Sequence, residues 1–256
     1  MAVLTDLDPP IFTITLARPK ANAFDQVQLD ALGQAVERVA GAEGGRALLL
    51  RAEGDVAFCA GADLGAVGPL AEPDGLASWT RGAHAILDRI AALSIPVVAA
   101  LRRPAVGGGF ELALACHFRV IARDAHVALP EIQRGYLPSW AAVQRLIPLV
   151  GPARARDLLL TGRRLSAEEA LAWGLVDRVA EDADAEARAL CETFAALPPL
   201  ALRAGLAQVE RVARGESSEQ IRARELDDLE RLVRTEDTVE GVLAFFEKRA
   251  PAFKGR

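Results

Sequence analysis

Two short segments made almost entirely of aliphatic residues set the strongest limit on how this chain folds. Ala47–Leu50 and Pro96–Ala100 carry no polar side chain and are too short for ordinary helices. Segments of this kind are typical of strands buried on both faces of a parallel sheet. Helix-like segments alternate with strand-like ones through the first half of the chain. This order predicts βαβ units, an α/β fold and a mostly parallel sheet.

The other elements of the first half follow from periodicity and caps. Ile11–Leu16 alternates and predicts a strand, and Asp25 is the N-cap of a predicted helix with apolar residues at near-helical spacing. A further helix is predicted from about Ser78 to Leu93, and a strand over Phe118–Ala122. Between them, the Gly/Pro-rich stretch from Gly65 to Gly75 is the best candidate for a mobile loop. From position 138 onward the signals are almost all helical.

Composition and charge argue against several kinds of binding partner and site. The chain has 256 residues, 51% of them apolar, which is enough for a large core in one or two domains. The net charge of −5 and the lack of a long basic run argue against a nucleic-acid partner. No apolar run reaches the roughly 18 residues that span a bilayer, and no targeting segment is evident, so we expect a cytoplasmic protein. The three cysteines are odd in number and lack metal-ligand spacing, so we expect reduced, buried thiols and no metal site.

Three consecutive glycines, Gly107–Gly109, stand before the apolar run Leu112–Ala115. This order places bare N–H groups near a helix N-terminus, where negative charge is favoured. The pattern is not the G-x-G-x-x-G dinucleotide motif, and it lacks the Lys-Ser/Thr of a phosphate loop. Close packing of a helix on a strand explains the glycines equally well.

Two glutamates lie in apolar surroundings. Glu111 directly follows the glycines, and Glu131 comes twenty positions later behind another apolar stretch. Desolvation raises the pKa of a carboxyl group toward neutrality and suits it to proton transfer. For each glutamate alone, a structural carboxylate with a partner is the simpler interpretation. Two in the same context favour acid/base chemistry beside the candidate N–H donors.

The segment from Phe58 to Leu64 contains mainly small residues after a buried strand. A ligand could lie along this backbone, and the Ala62 N–H is a candidate donor to a ligand oxygen. A plain turn between strand and helix, capped by Asp63, is the alternative interpretation.

Seven motifs in this order resemble the enoyl-CoA hydratase/isomerase (crotonase) superfamily over nearly the whole chain. The motifs are Arg18-Pro19-Lys20-Ala21-Asn22-Ala23, Cys59-Ala60-Gly61-Ala62-Asp63-Leu64, Gly107-Gly108-Gly109-Phe110-Glu111-Leu112, Pro130-Glu131, Gln144-Arg145-Leu146, Leu160-Thr161-Gly162 and Phe246-Glu247-Lys248-Arg249. The resemblance implies a crotonase-like spiral of repeated ββα units over residues 1–195. It also implies a helical C-terminal region, 196–256, that assembles homotrimers, or hexamers made of two trimers.

The same resemblance implies roles for residues of this chain. The N–H groups of Ala62 and Gly108 would form an oxyanion hole for the thioester carbonyl of an acyl-CoA. Glu111 and Glu131 correspond to the two catalytic glutamates of the hydratases. No separate cofactor is implied, because coenzyme A is part of the substrate.

Positions for holding coenzyme A are implied as well. Lys20 and Ala21 correspond to the region that holds its adenine and phosphates, and Ala60 to a backbone contact. Phe253 and Lys254 resemble a tail that covers the coenzyme A of a neighbouring subunit.

The resemblance predicts an enoyl-CoA hydratase. Another reaction of the superfamily on an acyl-CoA (double-bond isomerisation, thioester hydrolysis or C–C cleavage) is the first alternative, and a non-catalytic or RNA-binding relative is the second. Compared with the hydratases, Ser139 replaces a glycine and Trp140 is large where small residues are usual, so Trp140 either reshapes the acyl pocket or packs beneath a helix. The three histidines, His84, His117 and His126, have no partner pattern and are interpreted as structural.

Overall fold

A computed structural model describes residues 2–66 and 74–256. Two sheets and a set of helices make up this part of the chain. The strands are β1 Val3–Asp6, β2 Ile11–Leu16, β3 Ala47–Ala52, β4 Val97–Leu101, β5 Ala105–Val106, β6 Phe118–Ala122, β7 His126–Ala128, β8 Arg164–Ser166 and β9 Arg178–Ala180. The helices are α1 Gln26–Gly41, α2 Gly75–Ala91, α3 Gly108–Ala115, α4 Ala142–Thr161, α5 Ala167–Trp173, α6 Ala183–Ala195, α7 Pro199–Ala213, α8 Ser218–Leu232 and α9 Glu236–Glu247, with 3-10 helices at Leu64–Ala66 and Pro130–Arg134.

The larger sheet has the strand order β1-β2-β3-β4-β6-β9. Only β1 and β2 are antiparallel, and every other neighbouring pair in it is parallel. Its central strands β3 and β4 are almost wholly buried, as expected for aliphatic segments covered on both faces. The predicted α/β class and the mostly parallel sheet are therefore confirmed.

The smaller sheet has the order β5-β7-β8 and lies beside the segments that carry the sequence motifs. β5 and β7 are parallel, and β8 is antiparallel to β7. β8 and β9 interrupt the region that the sequence predicts as helical. With three residues each, they are too short to show strand periodicity, and pairing with β7 and β6 creates them.

Local signals in the sequence located the first helices of the chain. Asp25 caps α1, as predicted, by accepting a hydrogen bond from the Gln28 N–H at 2.8 Å. α2 begins at Gly75 rather than near Ser78. Most of the candidate mobile loop between Gly65 and Gly75 falls outside the described residues. Within residues 2–66 and 74–256, no helix is long and apolar enough to cross a membrane.

Candidate active site

Short parallel contacts align the segments that carry the sequence motifs. Phe24 pairs with Ala62 and Cys59 pairs with Ala105 through isolated parallel bridges, and Val106 pairs with Ala128. Parallel strands end at the same edge of a sheet, so the residues that follow them meet there. Gly107 and the 3-10 helix Pro130–Arg134 both begin at this edge.

The two candidate oxyanion donors lie close together in the fold. A Cβ built on Gly61, the residue before Ala62, would lie 2.9 Å from the Gly108 nitrogen. The neighbouring amides are used within the protein, since Asp63 N–H donates to the Phe24 carbonyl and Gly107 N–H to the Ala128 carbonyl. For the N–H groups of Ala62 and Gly108, no acceptor is found among residues 2–66 and 74–256. An oxyanion hole made by these two donors stays a prediction, and their proximity is what it requires.

Glycine is required here by close backbone contacts. Gly61 has a φ of 85° and Gly107 a φ of 56°, in the left-handed region that favours glycine. A Cβ on Gly109 would overlap the Cys59 carbonyl oxygen. The packing interpretation of the triplet is therefore correct for Gly109, and it is compatible with a donor role for Gly108.

Glu111 lies in the first turn of α3, whose eight residues are all buried. Its Oε1 accepts hydrogen bonds from the backbone N–H groups of Trp140 at 2.7 Å and Ala142 at 2.9 Å. Burial, followed by repulsion from Glu131, raises its pKa to about 7, against the opposing effects of the two N–H donors and of Arg145. A carboxyl group with this pKa can exchange a proton near neutral pH.

Glu131 belongs to the 3-10 helix that follows β7 and is 6% exposed. Its Oε1 packs so closely on Gly107 that a Cβ there would lie 2.5 Å from it. Its Oε2 is buried and has no hydrogen-bond partner within the described chain. Burial raises the pKa of this carboxyl group. A buried oxygen without a partner is what a ligand or a substrate proton would satisfy.

Trp140 packs directly against Gly108. Its side chain is buried, and its six-membered ring would lie 2.9 Å from a Cβ on Gly108. The ring also packs on Phe24 and Trp79, with centroids 5.4 and 5.6 Å away. The interpretation that Trp140 packs in the core is therefore correct, and its effect on an acyl pocket stays a prediction. Ser139 beside it is exposed.

The residues proposed to hold coenzyme A lie in two adjacent loops. Ala60 N–H donates to the Ala21 carbonyl at 3.0 Å, so a ligand contact from Ala60 falls to its carbonyl oxygen. Lys20 is exposed, with a φ of 73°. Asn22 is buried between these loops and donates to the carbonyls of Glu53 and Ala57.

Sequence reasoning gave some supporting residues no physical role. Asn22 and Arg18 entered it only as letters of a motif, yet Arg18 pairs with both Asp25 and Asp63 and joins the same loops. His84 on α2 also contacts the loop around Trp140. Only the composition of the first motif, rich in polar residues beside a turn, could have indicated the roles of Asn22 and Arg18.

Apart from the backbone of Cys59, the cysteines and the other histidines contribute none of the contacts described above. All three cysteines are free and buried, and burial raises the pKa of each thiol to about 12. The His117 ring accepts a hydrogen bond from the Val97 N–H, and burial lowers its pKa to about 4. The thiols are free and buried, as predicted, and the buried, hydrogen-bonded ring of His117 fits the structural role predicted for it.

Comparisons with known proteins agree with this fold. Residues 8–256 match the family model described as enoyl-CoA hydratase/isomerase. A carnitinyl-CoA dehydratase from Salmonella typhi is 41% identical over 253 residues, covering 96% of each chain. The crystal structure of an enoyl-CoA hydratase from Bacillus anthracis superposes with a TM-score of 0.94 at 32% identity, covering 100% of both chains. An enoyl-CoA hydratase/carnithine racemase from Magnetospirillum magneticum gives a TM-score of 0.92 at 32% identity, covering 100% of this chain and 96% of the other.

Proposed function

This chain belongs to the enoyl-CoA hydratase/isomerase (crotonase) family, and we propose that it is an enoyl-CoA hydratase. The observation that supports this most is the proximity of two buried carboxyl groups to two backbone N–H groups that have no acceptor among the described residues. In this proposal, the protein adds water across the 2,3 double bond of a 2-enoyl-CoA thioester. It also catalyses the reverse dehydration, because both directions pass through the same transition state.

The backbone donors stabilise the charge that develops during the reaction. Attack of water on C3 pushes electrons through the double bond onto the thioester oxygen. The N–H groups of Ala62 and Gly108, which have no acceptor among the described residues, would bind that oxygen. One donor of this type contributes about 3–4 kcal/mol of transition-state stabilisation.

The carboxyl groups move the protons. In hydration, Glu111 takes a proton from water while the hydroxyl oxygen bonds to C3, and Glu131 gives its proton to C2. The two N–H donors on Glu111 Oε1 favour its charged form, as a base requires. Glu131 Oε2 lacks any such donor among the described residues, which favours its neutral form. The carboxyl groups exchange these roles in dehydration.

Coenzyme A would lie along the loops that contain Lys20, Ala21 and Ala60. The Ala60–Ala21 hydrogen bond holds these loops together, and Lys20 offers an exposed cation for a phosphate. The activating group of the reaction is the substrate's own thioester, so the proposed steps call for no other cofactor.

Dehydration of carnitinyl-CoA is a second candidate, favoured by the 41% identity with a carnitinyl-CoA dehydratase. The described aromatic rings near Gly108 pack on one another and expose little surface to a quaternary ammonium group. This packing favours an uncharged acyl group, and therefore the first candidate.

The test is turnover of an acyl-CoA panel by the wild type, Glu111→Gln and Glu131→Gln. We expect wild-type hydration of crotonyl-CoA with the thioester retained. Each variant should lose about 10²–10⁴-fold in kcat, since each removes one acid/base group. Glu37→Gln, an exposed carboxylate on α1, is the matched control and should keep wild-type activity.

Products separate the alternatives. Release of free CoA or a moved double bond would replace hydration with another reaction of the family. Preferred dehydration of carnitinyl-CoA would favour the second candidate. Full activity in either Gln variant would overturn the proposed roles.

A further inference from the structure

We infer that His84 on α2 is a positioning residue for Glu111 and acts through the peptide group that joins Ser139 to Trp140. This inference rests on the proposed function, in which Glu111 is the base. His84 touches neither the substrate nor the reacting atoms, so it is not itself catalytic.

One continuous chain of hydrogen bonds connects the two side chains. His84 Nε2 lies 2.7 Å from the Ser139 carbonyl oxygen. A carbonyl oxygen can only accept, so Nε2 carries the hydrogen and donates it. The N–H of the same peptide group belongs to Trp140 and donates to Glu111 Oε1 at 2.7 Å. A single planar peptide therefore separates the imidazole from the carboxylate.

This arrangement has a direct electronic consequence. A donor on a peptide carbonyl polarises the peptide and makes its N–H a stronger donor, so hydrogen bonds in a chain strengthen one another. His84 thereby increases the stabilisation that Trp140 N–H gives to the charged form of Glu111. The other charged groups that act on Glu111 are Glu131 and Arg145.

The arrangement also fixes the plane of the peptide. Ser139 is exposed and lies outside any helix or strand, and Ala141 has a φ of 73°, a strained conformation for alanine. The N–H groups of Trp140 and Ala142 flank that residue and both point at Oε1. Holding the Ser139 carbonyl from α2 keeps the first of these two donors aimed at the carboxylate.

Other contacts between α2 and this loop persist when His84 is changed. Trp79 packs on Trp140, and Asp88 pairs with Arg145 at 2.6 Å. A variant at His84 is therefore expected to keep the loop in place and to lose mainly the donor. This separates a positioning role from a general role in folding.

The experiment compares His84→Leu, which removes the donor, with His84→Gln, whose neutral amide can donate from a similar position. We expect His84→Leu to lower kcat by roughly tenfold with KM nearly unchanged, since small losses of alignment are costly. The acidic limb of its kcat–pH profile should move to higher pH. His84→Gln should recover most of both. Arg89→Gln, which removes a contact of α2 with α1 only, is the matched control.

Two results would overturn the inference. One is that His84→Leu and Arg89→Gln have the same kcat and the same acidic limb in their kcat–pH profiles. The other is a loss of kcat that Gln does not restore, which would indicate a packing role. Circular dichroism and melting temperature establish that each variant is folded.

A failure of the proposed function gives a different pattern. In that case the wild type and Glu111→Gln would show the same turnover, or none. The pKa of Glu111 can then be read without substrate, from the infrared carboxyl band lost in Glu111→Gln. A higher pKa in His84→Leu than in the wild type supports the inference, and an equal pKa overturns it.

Discussion

At the scale of single residues, two carboxyl groups are buried to a similar extent but bonded differently. Glu111 accepts two backbone N–H donors, whereas Glu131 Oε2 has no partner within the described residues. Burial raises the pKa of both groups. The N–H groups of Trp140 and Ala142 oppose that shift at Glu111, whereas its own backbone N–H and Arg134 oppose it at Glu131. Differences of this kind let one site contain a base and an acid at the same pH.

The raised pKa of Glu111 has a consequence for stability. Its folded-state pKa of about 7 exceeds the ordinary value of 4.5, so the folded protein holds this proton over a pH range in which the unfolded chain has released it. Stability contributed by this group is present below pH 4.5 and is lost as the pH rises through about 7. The total loss is on the order of 3 kcal/mol.

Denaturant unfolding of the wild type and Glu111→Gln across pH 4–8 measures this effect. We expect the wild type to lose stability relative to the variant as the pH rises, because glutamine has no charge to desolvate. Glu37→Gln should show no such trend. A constant difference between wild type and Glu111→Gln across this range would contradict the prediction.

The side chain of Trp140 bears on which acyl groups the protein accepts. We propose that its ring limits the length or width of the acyl group, since it fills the space beside Gly108. Trp140→Phe, which retains an aromatic ring, should raise kcat/KM for octenoyl-CoA relative to crotonyl-CoA by several-fold. Trp173→Phe on α5 is the control and should leave that ratio unchanged. An unaltered ratio in Trp140→Phe would place the acyl group elsewhere.

At the scale of elements, the site depends on the close approach of α3 to the strand-like segment at Cys59. The N–H of Val106 donates to the Cys59 carbonyl, and Gly109 faces the same oxygen. This contact sets the distance between the two loops that supply Ala62 and Gly108. The packing of α3 and the spacing of the two proposed oxyanion donors therefore depend on the same contact.

Gly109→Ala tests that contact. Its Cβ would collide with backbone, which cannot move aside as a flexible side chain does, so we expect destabilisation of about 1–3 kcal/mol or more. Gly205→Ala in α7 is the matched control, because a Cβ there meets no atom within 4 Å. It should stabilise the protein by about 0.5–1 kcal/mol. Chemical unfolding measures both, and equal effects would show that α3 tolerates the extra atom.

At the scale of the whole molecule, the C-terminal helices expose an unusual amount of apolar surface. α8 has no buried residue, and Leu226, Leu229, Phe245 and Phe246 are all exposed. An amphipathic helix is stabilised mainly by burying its apolar face. We propose that a second and third copy of the chain cover this surface, in a trimer or a hexamer.

Sedimentation analysis tests the assembly. We expect three or six times the monomer mass for the wild type. Leu229→Glu should shift it to smaller species, because a charge would replace an apolar contact. Asp227→Asn, an exposed change on the same helix, should not. A wild-type monomer at micromolar concentration would refute the proposal.

The sequence by itself determined the elements whose signal is local. The aliphatic runs of β3 and β4 predicted strands buried on both faces, and the Asp25 cap placed the start of α1. The seven motifs were also enough to identify the family, because their order is preserved along one chain. Burial of Glu111 and Glu131 followed from the apolar residues around them.

Only the tertiary structure decided which groups meet. β8 and β9 are too short to carry a periodic signal and exist through pairing with distant strands. The approach of Gly61 to Gly108, the close contact of Gly109 with Cys59 and the hydrogen bond from His84 to Ser139 join residues that lie tens of positions apart. Sequence periodicity reports the environment of a residue along its own element, whereas a site is defined by contacts between elements. For that reason the fold class and the family were predictable, but the hydrogen bonds that hold Glu111 were not.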